Sequence, residues 1–108
     1  MLNLYTRKYV IHLSYLGTNF SGWQIQDNAI TIQGIMMKGL KNILDVQIQL
    51  LVGAGRTDAG VHAVNYFAHF EYFDLDELDL KSKMNRFLPK DIVIHRIIFI
   101  NPDFHARY

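Results

Sequence analysis

From Arg7 to Tyr15 the side chains alternate. Tyr9, Ile11, Leu13 and Tyr15 fall on one side of an extended chain, and Lys8, Val10, His12 and Ser14 on the other. A period of two carried by aromatic and β-branched residues predicts a strand. From Thr31 the period lengthens. Ile32, Ile35, Met36, Leu40, Ile43 and Leu44 recur at helical spacing behind Thr31, an N-cap residue. Gly34 and Gly39 each weaken that helix by about 1 kcal/mol relative to alanine, and close packing on a sheet would explain them. Ile48–Val52 predicts a second strand with Ile48, Leu50 and Val52 inward. Val64, Tyr66, Ala68 and Phe70 alternate with Asn65, Phe67, His69 and Glu71 to predict a third, and Phe67 on its second face suggests that this face is also partly covered. Asp74, Asp76, Glu77 and Asp79 precede Leu80, Met84, Phe87 and Leu88, with Lys81, Lys83 and Arg86 later. That polarity matches a helix macrodipole and predicts a second helix, ended by Pro89. Ile92–Ile100 predicts a fourth strand, closed by Pro102.

The order strand, helix, strand, strand, helix, strand is that of an α+β, ferredoxin-like split βαβ domain, an antiparallel sheet with two helices on one face. The other face is then free for RNA or for a second domain. At 108 residues the chain suits one domain with one modest core. Half of the residues are apolar and 13% aromatic, which excludes a disordered chain. No run is long enough to cross a bilayer, and the first residues show no charged-then-apolar pattern. The absence of cysteine rules out disulfide and thiolate chemistry. A net charge of +1 says little about a nucleic-acid partner, because phosphate binding depends on local patches.

Candidate chemistry concentrates between the second and third strands. Gly53, Gly55 and Gly60 are three of the seven glycines, and Asp58 stands mid-loop with Arg56 two residues before it. A hairpin turn whose aspartate bonds its own backbone explains such a loop on spacing alone. A reactive carboxylate presented on a rigid scaffold explains it equally. The segment Gly17–Ala29 is loop chemistry carrying Phe20 and Trp23, either folded over a core edge or forming a wall against RNA or a partner subunit. His12 reads as a packed or rim histidine and His69 as structural. The acids before the second helix read as a solvated helix entrance, not a metal site.

Gly55-Arg56-Thr57-Asp58-Ala59-Gly60-Val61-His62-Ala63 resembles the active-site signature of the tRNA pseudouridine synthase A family. Tyr15-Leu16-Gly17-Thr18-Asn19-Phe20-Ser21-Gly22-Trp23-Gln24 resembles that family's first motif, and Phe104-His105-Ala106-Arg107 a third segment. The resemblance covers essentially the whole chain but only the first half of a typical member. It implies a cytoplasmic enzyme, homodimeric at full length, that converts uridine to pseudouridine near the 3′ side of the tRNA anticodon loop and stem, without metal, redox or organic cofactor. It makes Asp58 the catalytic carboxylate and Arg56 the group that enters the space left by an extruded base or holds a phosphate. An ion pair or backbone clamp is the plainer role for Arg56. Thr57 would orient the loop, Gly55 and Gly60 would keep side chains clear of the ribose, and His62 would fix the loop by hydrogen bonding.

In that family a tyrosine beyond the Phe-His-Ala-Arg segment packs on the target base, and Tyr108 stands too early to be it. A basic partner of the catalytic aspartate comes from a second, C-terminal domain. Residues 1–108 therefore read as the domain bearing the catalytic aspartate, inactive alone. Three rivals remain on sequence alone. One is a non-catalytic RNA-binding module of the same fold. Another is a hydrolase pairing Asp58 with His62, and the third is a structural dimerisation domain.

Overall fold

The computed structural model describes residues 7–26, 28–52 and 62–100. Its elements follow the expected order: β1 (Arg7–Tyr15), α1 (Ile32–Leu44), β2 (Leu51–Val52), β3 (Ala63–Tyr72), α2 (Glu77–Phe87) and β4 (Ile92–Ile100). The four strands form one sheet in the order β2-β3-β1-β4, and every pairing is antiparallel. This is the ferredoxin-like split βαβ arrangement.

The alternation along β1 becomes burial directly. Tyr9, Ile11, Leu13 and Tyr15 are at most 2% exposed, whereas Lys8 is exposed and Val10, His12 and Ser14 are half-buried. The buried set meets Ile32, Met36 and Leu40 of α1 and Leu80 and Met84 of α2 in one core, so both helices cover the same sheet face. Thr31 caps α1 by accepting from the Gly34 N–H at 3.2 Å. Asp76 caps α2 by accepting from the Asp79 N–H at 3.1 Å. Asp79 then pairs with Lys83 at 2.9 Å, and Asp74 with Arg7 at 3.5 Å. The acids thus serve the helix entrance, as their position before the apolar positions predicts.

Several expectations are corrected. Gly39 does not face the sheet. A Cβ there would lie 3.0 Å from Phe87 Cδ2 and 3.1 Å from Met84 Sδ, so the missing side chain lets α1 approach α2. Gly39→Leu is expected to lower stability by about 1–2 kcal/mol in chemical denaturation, overpacking outweighing the gain in helix propensity. Gly39→Ala should stay near wild type, since the Met84 side chain can shift. Phe87, expected inward, is 38% exposed over this contact.

The second strand begins later than Ile48: the Leu50 carbonyl accepts from Gln33 Nε2 of α1 at 2.7 Å, and among the described residues Leu51 and Val52 pair with β3. Ile48 and Leu50 are nevertheless buried. Val64 points out of the core, 76% exposed. β3 gains a residue against β1 between the pairs Leu13–Tyr66 and Tyr15–Ala63, and the bulge turns Val64 over.

Candidate active site

The C-terminal end of β1 and the N-terminal ends of β3 and β4 share one end of the sheet, through the pairs Tyr15–Ala63 and Tyr15–Ile92, and β2 runs toward that end from the Val52–Ala68 pair in mid-strand. Sequence reasoning places its reactive loop at this end. Gly55, Arg56, Thr57, Asp58 and Gly60 lie outside the described residues, as do Phe104, His105, Ala106 and Arg107.

His62 Nδ1 accepts from the Gly17 N–H at 2.7 Å. The bond joins the two stretches that carry the first two motifs, 45 residues apart. An accepting Nδ1 requires a neutral ring protonated on Nε2, so this nitrogen is committed to the backbone. The loop-fixing role expected of His62 agrees with this geometry. His62→Ala is expected to cost about 1 kcal/mol of stability by removing the only side-chain acceptor the described residues offer to that N–H. Thermal melts beside wild type measure it, and an unchanged midpoint would show the bond to be replaceable by water.

The turn at Gly17–Asn19 is tied on its other side as well. The Leu16 N–H donates to the Asp91 carbonyl at 2.9 Å, and Asn19 Nδ2 donates to Asp91 Oδ2 at 3.2 Å. The chain then folds back on α1. Gly22, at φ 86, sits in the left-handed region that glycine enters without strain. Its carbonyl accepts from the Ile32 N–H at 3.1 Å, and that of Trp23 accepts from the Gln33 N–H at 2.9 Å. Two of the N–H groups that open a helix without a partner are thereby satisfied by this loop.

Phe20 and Trp23 fold over the core edge; they do not form an open wall. Phe20 is 8% exposed and Trp23 is fully buried. The indole lies 4.6 Å from the Tyr66 ring and 6.5 Å from that of Tyr15, centroid to centroid, and the two tyrosines meet edge-on at 5.5 Å. Burial pushes the Tyr66 phenol well above its ordinary range, with Tyr15 adding to it, so Tyr66 stays protonated and serves as packing.

Of the other described histidines, His12, His69 and His95 lie on the sheet face away from the helices. His12 Nε2 donates to Asn65 Oδ1 at 2.8 Å, and His95 Nε2 is hydrogen-bonded to Ser14 Oγ at 2.9 Å. Burial, helped by Lys8, lowers the pKa of half-buried His69 and favours its neutral form. Among the described residues no group of three or more His, Cys, Asp or Glu side chains is placed to hold a metal ion. Nor is any helix long and apolar enough to cross a membrane.

Sequence reasoning did not find the Gly17 N–H anchor, the Gln33 clamp on Leu50 or the clustering of His12, Phe67 and His95. Each depends on strand register or loop path, for which a single sequence gives no signal.

No protein-family model matches the chain. Individual proteins do. It is 47% identical over 103 residues to tRNA pseudouridine synthase A of Bacteroides thetaiotaomicron, an alignment covering 94% of this chain and 38% of that protein. It is 42% identical over 107 residues to the protein of that name in Chlamydia trachomatis, covering 95% and 40%. The corresponding protein of Aquifex aeolicus is 41% identical over 101 residues, covering 93% and 42%. Along nearly its whole length the chain matches a fragment of proteins named tRNA pseudouridine synthase A. It spans about two fifths of the length of these relatives. In this chain the two motif stretches meet through the Gly17–His62 bond, which anchors the residue four positions past Asp58.

Proposed function

We propose that this chain carries the catalytic aspartate of a tRNA pseudouridine synthase, and that Asp58 is that residue. The observation that supports the reading is 41–47% identity, along nearly the whole chain, to proteins named tRNA pseudouridine synthase A. The Gly17–His62 bond, which ties the first two motif stretches together, is in keeping with that reading.

The reaction is an isomerisation. The bond from ribose C1′ to the uracil nitrogen breaks, the base turns, and C1′ joins a uracil carbon. The proton lost from that carbon is balanced by one gained on the nitrogen, so no oxidant, reductant or group donor enters. The substrate uridine lies in the anticodon stem-loop and is extruded from its stack at a cost of a few kcal/mol. In this reading the Asp58 carboxylate is the nucleophile. Arg56 holds a phosphate or fills the space the base leaves. Thr57 orients the loop, and Gly55 and Gly60 leave room for the ribose. The resemblance further implies a homodimer acting in the cytoplasm, and sedimentation of the full-length protein tests the first of these.

The proposal is tested in cells that produce the protein. Deleting its gene is expected to remove pseudouridine from the anticodon stem-loop of their tRNAs, and restoring the gene to return it. Unchanged tRNA after deletion would refute the assignment. Because the relatives are more than twice as long as this chain, residues 1–108 alone are expected to form no pseudouridine. Turnover by the purified segment would overturn that expectation.

A further inference from the structure

Gln33, the second residue of α1, ties together three parts of the chain that lie apart in sequence. Its own N–H donates to the Trp23 carbonyl at 2.9 Å. Its side-chain amide is used at both ends. Oε1 accepts from the Ile25 N–H at 3.0 Å, and Nε2 donates to the Leu50 carbonyl at 2.7 Å. An N–H on one side and a carbonyl on the other fix which way the amide faces. Trp23 and Ile25 lie in and just past the first-motif stretch, and Leu50 immediately precedes β2.

The hold on Leu50 stands in place of a strand pairing. Carried back from Leu51–His69 and Val52–Ala68, the β2–β3 register would set Leu50 opposite Phe70, Gln49 opposite Glu71 and Ile48 opposite Tyr72. The side chains already alternate for it, since Ile48, Leu50 and Phe70 are buried while Gln49 and Glu71 are exposed. Among the described residues no such pair forms before Leu51–His69, and a cleft of about 510 Å³ is lined by residues 46–49 and 69–73. Leu50 is therefore held toward α1 by Gln33. It stands eight residues before Asp58. On the far side of Asp58, His62 is bonded to Gly17 at 2.7 Å. Both flanks of the Asp58 segment thus attach to one neighbourhood, residues 17–25.

We propose that Gln33 is a positioning residue for the isomerisation. By holding Leu50 it sets where the chain leaves β2 toward Asp58, and so where the carboxylate meets the uridine. A reacting group displaced by about 1 Å loses on the order of a hundredfold in rate. The inference rests on the reading of Asp58 as the catalytic carboxylate and adds to it the side chain that sets its approach.

Two matched amide clamps in the full-length protein provide the test. Asn85 on α2 grips Ile94 of β4 in the same manner: Nδ2 donates to the Ile94 carbonyl at 2.9 Å, and Oδ1 accepts from the Ile94 N–H at 2.8 Å. β4 does not lead into the Asp58 segment. Gln33→Glu and Asn85→Asp each keep shape and acceptor, and each sets an oxygen against a carbonyl. Both are expected to lower the melting temperature to a similar extent. Gln33→Glu alone should slow single-turnover pseudouridine formation about tenfold to a hundredfold, with tRNA affinity within about threefold of wild type. Asn85→Asp should turn over within about twofold of wild type. Gln33→Met, which removes both side-chain bonds without adding charge, should repeat the split. Equal turnover losses in Gln33→Glu and Asn85→Asp, or wild-type turnover by both Gln33 variants, would overturn the proposal. A parallel loss of tRNA affinity, or failure of both Gln33 variants to fold, would do so too, by making Gln33 a binding or folding residue. Asp58→Asn, measured alongside, separates the two readings. If it is inactive while the Gln33 variants match wild type, this proposal alone falls. If it turns over as wild type does, the Asp58 reading falls and this proposal with it.

Discussion

Asp58→Asn in the full-length protein is expected to reduce pseudouridine formation by about a thousandfold or more while tRNA affinity stays within about threefold of wild type. The asymmetry follows from the substitution. Asparagine has the shape of aspartate, so the loop's packing and the neighbouring Gly55 and Gly60 are undisturbed. What it lacks is the negative charge and nucleophilic oxygen on which glycosidic bond cleavage depends in the proposed reaction. Loss of a group that acts only in the reaction lowers turnover without touching ground-state binding. The measurement is single-turnover conversion of an unmodified tRNA, with affinity followed separately by filter binding. Equal turnover of the two proteins would remove Asp58 from the mechanism. A parallel loss of affinity would make it a binding or folding residue instead.

The sheet and both helices were legible because each repeats its own period through a core contact. Tyr9, Ile11, Leu13 and Tyr15 are buried where alternation puts them, and Ile32, Met36 and Leu40 where a helical period does. Caps are equally local: Thr31 serves as its position predicts, and Asp76, read only as part of an acidic helix entrance, proves to be the cap of α2. What was not legible depends on partners distant in the chain. Val64 reads as a core residue until the bulge opposite Ser14 turns it outward. Leu50 reads as a strand residue until Gln33 takes its carbonyl. Gly39 reads as a concession to the sheet, and only the placement of Met84 and Phe87 shows that a helix fills the space. The site divides in the same way. Asp58 and Arg56 were singled out by residue type and motif, and lie outside the described residues. The bond that joins the first two motif stretches came from the geometry of His62 and Gly17.

Trp23→Ala is expected to destabilise the domain by about 3–5 kcal/mol, a large part of the roughly 5–15 kcal/mol that holds a domain of this size together. The indole is fully buried among Tyr15 and Tyr66 where the first-motif loop meets the core. Truncation would leave a cavity that two aromatic rings cannot close. A loss of that size corresponds to a fall in melting temperature on the order of 15–30 °C, read by circular dichroism. Trp23→Phe separates shape from hydrogen bonding. The indole Nε1 is buried without a hydrogen-bond partner among the described residues, a defect that costs about 1–3 kcal/mol. Phenylalanine removes that donor while keeping a ring against Tyr66, so the cost of lost volume is offset and the net change should stay under about 1.5 kcal/mol. If Trp23→Phe proved as damaging as Trp23→Ala, the indole N–H must be satisfied in solution, and the tryptophan would be held by a polar contact as well as by packing.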